Sequence, residues 1–259
     1  MVLKLLKRKA ARSARGSVPS IPEGRRVYAI GDIHGCADLF DALLARIEED
    51  VAARRPAEIT LVLLGDLVDR GPDSRAVIER AMQLEASGGD VRFLAGNHEE
   101  VFLEAVTRPS RETSRFFYRI GGRETVLSYG LSEREMIDID HGALAARLPG
   151  MVPPEHVAFL QRFEDQIEIG DYLFVHAGVK PNVPLDQQKQ RHLRWIREEF
   201  LDHEGDLGKI VVHGHTVSEA VEQRGHRIGI DTGAWASGVL TAVALEGRER
   251  WFIDTAESV

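Results

Sequence analysis

Cysteine is almost absent. Cys36 is the single one in 259 residues, so no intrachain disulfide can form and no thiolate cluster can hold a structural zinc. That leaves the redox setting open and fits the cytosol; a cytoplasmic location is expected. Cys36 itself is expected to be a small buried hydrophobe in the first turn of a helix. Aromatics are few, at 7%, and no apolar run reaches the length of a membrane span or a signal peptide. Net positive charge is lacking too. The balance is −8, which argues against a general nucleic-acid binder but not against an anionic substrate, because bound cations can supply local positive charge. Acids are missing from the first twenty residues, which carry Lys4, Lys7, Arg8, Lys9, Arg12 and Arg15. Residues 1–20 read as a basic, solvated tail. The lesser reading lets Val2, Leu3, Leu5 and Leu6 anchor that tail weakly on an anionic membrane.

What is present is enough apolar material for one large core: 43% of the chain is hydrophobic. Residues 21–259 read as a single catalytic domain. Arg26–Gly31, Ile59–Leu64 and Val91–Ala95 read as buried strands. They alternate with helices at Ala37–Ala53, with Leu39, Leu43, Ile47 and Val51 on one stripe, at Ser74–Ala86 and from His98. This βαβαβα run predicts a parallel sheet. Residues 107–165, polar and partly helical, read as a helical insertion over one edge. Short strands then dominate, at 166–169, 172–175, 209–212, 227–230, 239–245 and 250–254, and suggest a second, mostly antiparallel or mixed sheet. The expected fold class is α/β, two packed sheets flanked by helices.

Five clusters obey one rule: an apolar strand ends and Gly, Asp, Asn or His follows at once. They are Gly31-Asp32-Ile33-His34-Gly35, Gly65-Asp66-Leu67-Val68-Asp69-Arg70-Gly71, Gly96-Asn97-His98-Glu99, His176-Ala177-Gly178 and His213-Gly214-His215-Thr216. Ligands of open α/β sheets bind outside the carboxyl ends of the strands, so these side chains are expected to converge. Each cluster alone is ordinary turn chemistry; the series is not. Carboxylate, amide oxygen and imidazole without thiolate suit manganese, iron or zinc in an open site. Asp32 and His34, two apart, can face one side. Asp66 has two oxygens and can bridge two metals about 3.5–4 Å apart, with Asn97, His176 and His215 completing the second.

GDIHG, GDLVDRG, GNHE, HAG and VHGHT, in this order, resemble the calcineurin-like metallophosphoesterase superfamily over nearly all of residues 26–256. The GDLVDRG and GNHE forms, with GGRETVLSYG, LRWIREEF and RIGIDTGAWASG, resemble the bacterial serine/threonine protein phosphatases of its phosphoprotein phosphatase branch. The resemblance implies a two-sheet sandwich flanked by helices and two divalent ions, manganese first, iron or zinc as alternatives. Asp32, His34 and Asp66 would hold one ion, and Asp66, Asn97, His176 and His215 the other. His98 would be the general acid, oriented by Asp69. Arg70 and Asn97 would grip the phosphate, with Arg197 as a second arginine and Arg194 in reserve. A hydroxide shared by the two ions would attack phosphorus directly. Val217 stands where many two-metal phosphoesterases carry another histidine, as in the phosphatase branch. The SAPNYC loop of the animal enzymes is replaced by Asp231–Ala234 with Trp235, which is read as core. His213 is expected to share a face with His215 as a supporting residue. His141, His156, His192, His203 and His226 are expected at the surface.

The expected substrate is a phosphoprotein or phosphopeptide, with no nucleic-acid partner. The alternative is a symmetrical dinucleoside tetraphosphate hydrolase, whose metal motifs are nearly the same. A non-catalytic phosphate-binding scaffold is the third reading, disfavoured because every expected position is filled.

Overall fold

The computed structural model describes residues 18–256. The basic tail of residues 1–20, and its membrane reading, therefore lie outside the described residues apart from positions 18–20. The chain runs β1 (Arg25–Ile30), α1 (Ala37–Ala53), β2 (Glu58–Leu63), α2 (Ser74–Ala86), β3 (Asp90–Phe93) and α3 (Asn97–Thr107). Then come α4 (Arg111–Phe117), a π turn at Tyr118–Gly122, α5 (Arg123–Ser128), α6 (Glu133–Asp138), α7 (His141–Met151) and α8 (Pro154–Leu160). The second half holds β4 (Gln166–Ile169), β5 (Tyr172–Val175), α9 (Gln190–Trp195), α10 (Glu198–Leu201), β6 (Ile210–His213), β7 (Glu222–Gln223), β8 (Arg227–Gly229), α11 (Ala234–Ser237), β9 (Thr241–Glu246) and β10 (Glu249–Asp254).

Two five-stranded mixed sheets result, ordered β10-β9-β1-β2-β3 and β4-β5-β6-β8-β7. Strands β1, β2 and β3 are parallel, as are β5, β6 and β8. The layering follows from β-strand alternation. In β1, Tyr28 and Ile30 join the core under the helices, while Val27 and Ala29 face the other sheet. Val62, Leu64, Val243 and Leu245 add to that inter-sheet core, opposite Ile167, Phe174, Val212 and Ile228. The outer face of the second sheet buries Leu173, Val175 and Val211 against Leu193 of α9 and Phe200 of α10.

Three expectations need correction. The last two strands, grouped with the second sheet, belong to the first: β9 pairs antiparallel with the free edge of β1, and β10 pairs with β9. Apolar alternation says that a strand is half-buried, not which edge it closes. On α1 the buried stripe is Phe40, Leu43, Leu44 and Ile47, with Leu39 and Val51 only partly covered; the helix presents a broad face rather than a single file. His156, His192 and His226 are buried, not at the surface. His156 accepts at Nδ1 from, or donates to, the Tyr129 hydroxyl at 2.9 Å, a partner that local polarity could not reveal. Cys36 is buried as expected, just before α1.

Candidate metal centre and active site

The parallel strands of both sheets deliver their carboxyl ends to one place. His215 N–H donates to both oxygens of Asp32 at 3.1 and 3.0 Å. The Leu64 carbonyl accepts from His176 Nδ1 at 2.9 Å. These contacts lock the ends of the two sheets together around buried polar side chains. Asp32, His34, Asp66, Asn97, His98, His176 and His215 are all buried.

The local backbone is strained where the chemistry sits. Of six non-glycine residues with positive φ among the described residues, five are His34 (47°), Asp66 (51°), Asp69 (73°), Arg70 (69°) and His215 (65°). The left-handed conformation costs about 1–2 kcal/mol per non-glycine residue and persists when surroundings over-determine it. Here the restraint is visible. Glu99, fully buried, accepts from the backbone N–H groups of Asp66 (2.8 Å), Leu67 (2.7 Å) and Gly96 (2.9 Å). Asp69 N–H donates to the hydroxyls of Ser74 and Thr125, and Arg70 N–H to the Gly121 carbonyl. Close approach explains two glycines: a Cβ at Gly96 would overlap Asp66 Oδ1, and one at Gly214 would overlap Asp32 Oδ1.

Two buried triads share Asp66. In His34–Asp66–His98 and in Asp66–His176–His215, one ligand atom per residue lies within 4.8 Å of the others. Asp66 Oδ1 accepts from His98 N–H at 3.0 Å. Its Oδ2 faces His176 Nε2 at 3.3 Å, His34 Nε2 at 3.7 Å and His98 Nε2 at 3.9 Å. His34 Nδ1 is engaged by the Val68 carbonyl at 2.8 Å, so its Nε2 points inward as a lone pair and has no hydrogen-bond partner. Around His176 Nε2 stand Asp66 Oδ2, Asn97 Oδ1 (3.0 Å) and His215 Nδ1 (3.1 Å). With Nδ1 already donating to Leu64, a neutral His176 adds a lone pair at Nε2 to this crowd of acceptor atoms. A cation would satisfy all of them, and the oxygen and nitrogen donor set suits a divalent transition metal. The residues present fit a two-metal site.

The electrostatics agree. Burial lowers His34 to about 3 and, helped by His176, lowers His215 to about 2, so both imidazoles stay neutral and keep a lone pair. Burial opposes ionisation of Asp66, but His176, His98 and His34 outweigh it and hold its carboxyl well below the usual range. Asp32 is pushed well above that range by burial, Asp231 and Asp66. Asp231, also buried, is raised by burial and by Asp66, and its Oδ2 has no partner. Burying three neighbouring carboxylates is costly; Arg70 and the histidines offset part of that cost, and cations would relieve the rest.

His98 Nδ1 lies 2.7 Å from Asp69 Oδ2, and Thr125 Oγ1 donates to the other oxygen, Oδ1, at 2.6 Å. His98 Nε2 lies 3.2 Å from Arg70 Nη2. Burial opposes a charge on His98, yet Asp66 and Asp69 raise its pKa on balance, which suits a proton donor. The geometry alone would also admit His98 to a metal triad. Its ring nitrogens are spoken for by Asp69 and by a guanidinium, and a cation beside Arg70 would be repelled.

Arg197 and Arg194 part company. Arg194 is tied to Asp165 (2.6 Å) and Glu100 (3.0 Å). Arg197 is exposed, donates to Thr216 Oγ1 at 3.4 Å, and helps depress the His215 pKa, so of the two it is the one that stands near the candidate ligands. Trp235, read as core, is 46% exposed with the Arg70 guanidinium over its ring. His213 does not face His215. It packs on Phe200 across the outer side of the second sheet, because the left-handed His215 turns the chain out of strand alternation. Three residues were missed: Glu99 as a backbone anchor, Thr125 as the partner of Asp69, and Asp231. Asp231 opens a sixth polar cluster just after β8, so the same rule could have found it.

Residues 25–236 match the model of the calcineurin-like phosphoesterase family. The chain belongs to this family. Its two buried triads are consistent with a metal site in a member of this family. Among curated relatives, the symmetrical bis(5'-nucleosyl)-tetraphosphatase of Acidovorax sp. (strain JS42) is 33% identical over 189 residues, covering 71% of this chain and 51% of that protein. The chain thus spans about half of that relative's length. The protein of the same name from Methylobacillus flagellatus is 28% identical, covering 86% of this chain and 92% of that protein. A solved structure described as a candidate diadenosine tetraphosphatase shares the fold, with a TM-score of 0.61 at 20% identity over 93% of this chain and all of that one. No helix among the described residues is long and apolar enough to cross a membrane.

Proposed function

We propose that the chain, through a single catalytic domain at residues 21–259, hydrolyses symmetrical dinucleoside tetraphosphates at the central anhydride. The observation that carries this reading is the similarity to curated symmetrical bis(5'-nucleosyl)-tetraphosphatases, one of them matched over 92% of its length. The phosphoprotein reading rested on Glu99, GGRETVLSYG and WIREEF. In the structure these segments hold the common machinery. Glu99 anchors backbone N–H groups, Thr125 supports Asp69, Gly121 accepts from Arg70, and Arg197 sits beside Thr216. They serve phosphate chemistry of either kind and do not choose a leaving group.

Asp32, His34 and Asp66 would hold one divalent ion, and Asp66, Asn97, His176 and His215 the other; manganese, iron and zinc all fit the donor set. When bound, two such ions supply Lewis acidity and a source of hydroxide at neutral pH. The rest falls to the chain. Arg70 and Arg197 bind and orient the phosphate oxygens, with the Arg70 fork already beside His98. The amino end of α3, carrying Asn97 and His98, offers a favourable dipole to the anion. Asp69 keeps the His98 proton on Nδ1 and its ring aimed, so that a protonated Nε2 can deliver a proton to the departing oxygen.

Kinetics on diadenosine tetraphosphate and on a phosphothreonine peptide, side by side with manganese, test the reading. A higher kcat/KM for the dinucleotide, with two molecules of ADP as product, is expected. A higher value for the peptide returns the phosphoprotein reading. ATP plus AMP as products refutes symmetrical cleavage, and no turnover of either points to a scaffold.

A further inference from the structure

Five large apolar side chains are exposed among the described residues: Val18, Tyr118, Ile137, Val217 and Trp235. Two of them stand on the rim of the site. Val217 follows Thr216, the partner of Arg197, and lies so near the next turn that a Cβ on Gly233 would come within 2.9 Å of its Cγ1. Trp235 lies two residues beyond Gly233, on α11, with 46% of its surface open. The Arg70 guanidinium stands 5.3 Å from the centre of its ring. The same guanidinium touches His98 Nε2 at 3.2 Å. One planar cation therefore separates the imidazole at the reacting position from an open indole.

The indole is presented, not frayed. Gly233 and Gly238 bracket the four-residue α11 in left-handed conformations (φ 69° and 73°). Within it, Ser237 Oγ donates to the Thr232 carbonyl at 2.8 Å and accepts from Val239 N–H at 3.0 Å. An exposed tryptophan on a braced turn beside Arg70 is an informative exception to apolar burial. The matching ligand is flat and apolar on its faces and joined to a phosphate chain.

We infer that Trp235, with Val217 near the start of the same turn, is the stacking platform for a nucleobase of the dinucleotide, and so sets the preference for nucleotides over other phosphate compounds. The inference rests on the dinucleotide reading and names a recognition element for it. Every base offers a π-face, so the platform is tolerant of base identity, and Arg70 on the indole adds a cation–π contact to the stack.

The test compares wild type with Trp235→Ala, Trp235→Leu and Trp235→Phe. The ratio of kcat/KM for diadenosine tetraphosphate to that for inorganic tetraphosphate is expected to fall by about tenfold or more in the Ala and Leu variants, the factor that stacking one base on an aromatic ring typically carries. Trp235→Phe is expected to recover most of it. A role confined to holding Arg70 would lower both substrates together and leave the ratio unchanged, which overturns the inference. Inhibition by ADP against inorganic pyrophosphate gives a reading independent of turnover. If wild type does not cleave the dinucleotide, the functional reading fails, yet selective weakening of ADP in Trp235→Ala still supports the platform. Equal weakening of both inhibitors removes it.

Discussion

Glu99→Gln is the most informative single substitution, because it changes one oxygen into an amide nitrogen without changing volume. The carboxylate is fully buried and accepts three backbone N–H groups: Leu67 on Oε1, Asp66 and Gly96 on Oε2. A glutamine has one acceptor oxygen. Turned to keep the pair on Oε2, it sets its NH₂ against the Leu67 N–H, leaving one buried donor unpaired; turned the other way it orphans two. An unpaired buried donor costs about 1–3 kcal/mol. For a chain of this size that lowers the melting temperature by roughly 2–12 °C. The loop concerned carries Asp66, Asp69 and Arg70 in left-handed conformations, so kcat/KM is expected to fall as well. The assay is thermal unfolding in chelator and again in excess manganese, with turnover measured on the same samples. Glu100→Gln is the control: it weakens one surface pair with Arg194 and is expected to cost less than about 1 kcal/mol. A Glu99→Gln midpoint within about 1 °C of wild type, with turnover intact, would refute the claim that this carboxylate holds the loop.

Other outcomes follow from the same geometry. A general acid matters most for a basic leaving group. His98→Asn is therefore expected to slow hydrolysis of a phosphoserine peptide by about 10²–10⁴ but that of diadenosine tetraphosphate, whose departing diphosphate is already a stable anion, much less; equal losses would give His98 another role. Arg197→Ala is expected to raise KM for phosphate substrates, whereas Arg194→Ala leaves KM alone and lowers stability through its lost ion pairs, as steady-state kinetics and urea unfolding can show. Burial lowers His213 to about 4, so the unfolded chain binds its proton first as pH falls. That stability is complete above about 6.5, the ordinary histidine value, and is lost on acidification toward about 4, amounting to roughly 3 kcal/mol. Urea unfolding of chelated protein across that window should show the slope, and His213→Gln should reduce it.

Local pattern made the strands and the two long helices α1 and α2 legible, since period 2 and period 3.6 report burial wherever a face is covered. The site was legible for a related reason. Polar residues directly after apolar strands have one place to go in a parallel sheet, and the family motifs named the candidate ligands. Substrate choice was less legible, because Glu99, Thr125 and Arg197 support a site common to several phosphate chemistries.

Sequence alone determined the existence of a cluster of oxygen and imidazole donors, because each donor is set by its own short strand-end motif. Only the tertiary structure decided which sheet received β9 and β10, that His213 turns away from His215, that Arg194 is engaged while Arg197 is free to reach the site, and that Trp235 faces outward. Each of those depends on pairing or contact between residues far apart in the chain, and the free energy of such contacts leaves no mark on local composition or period.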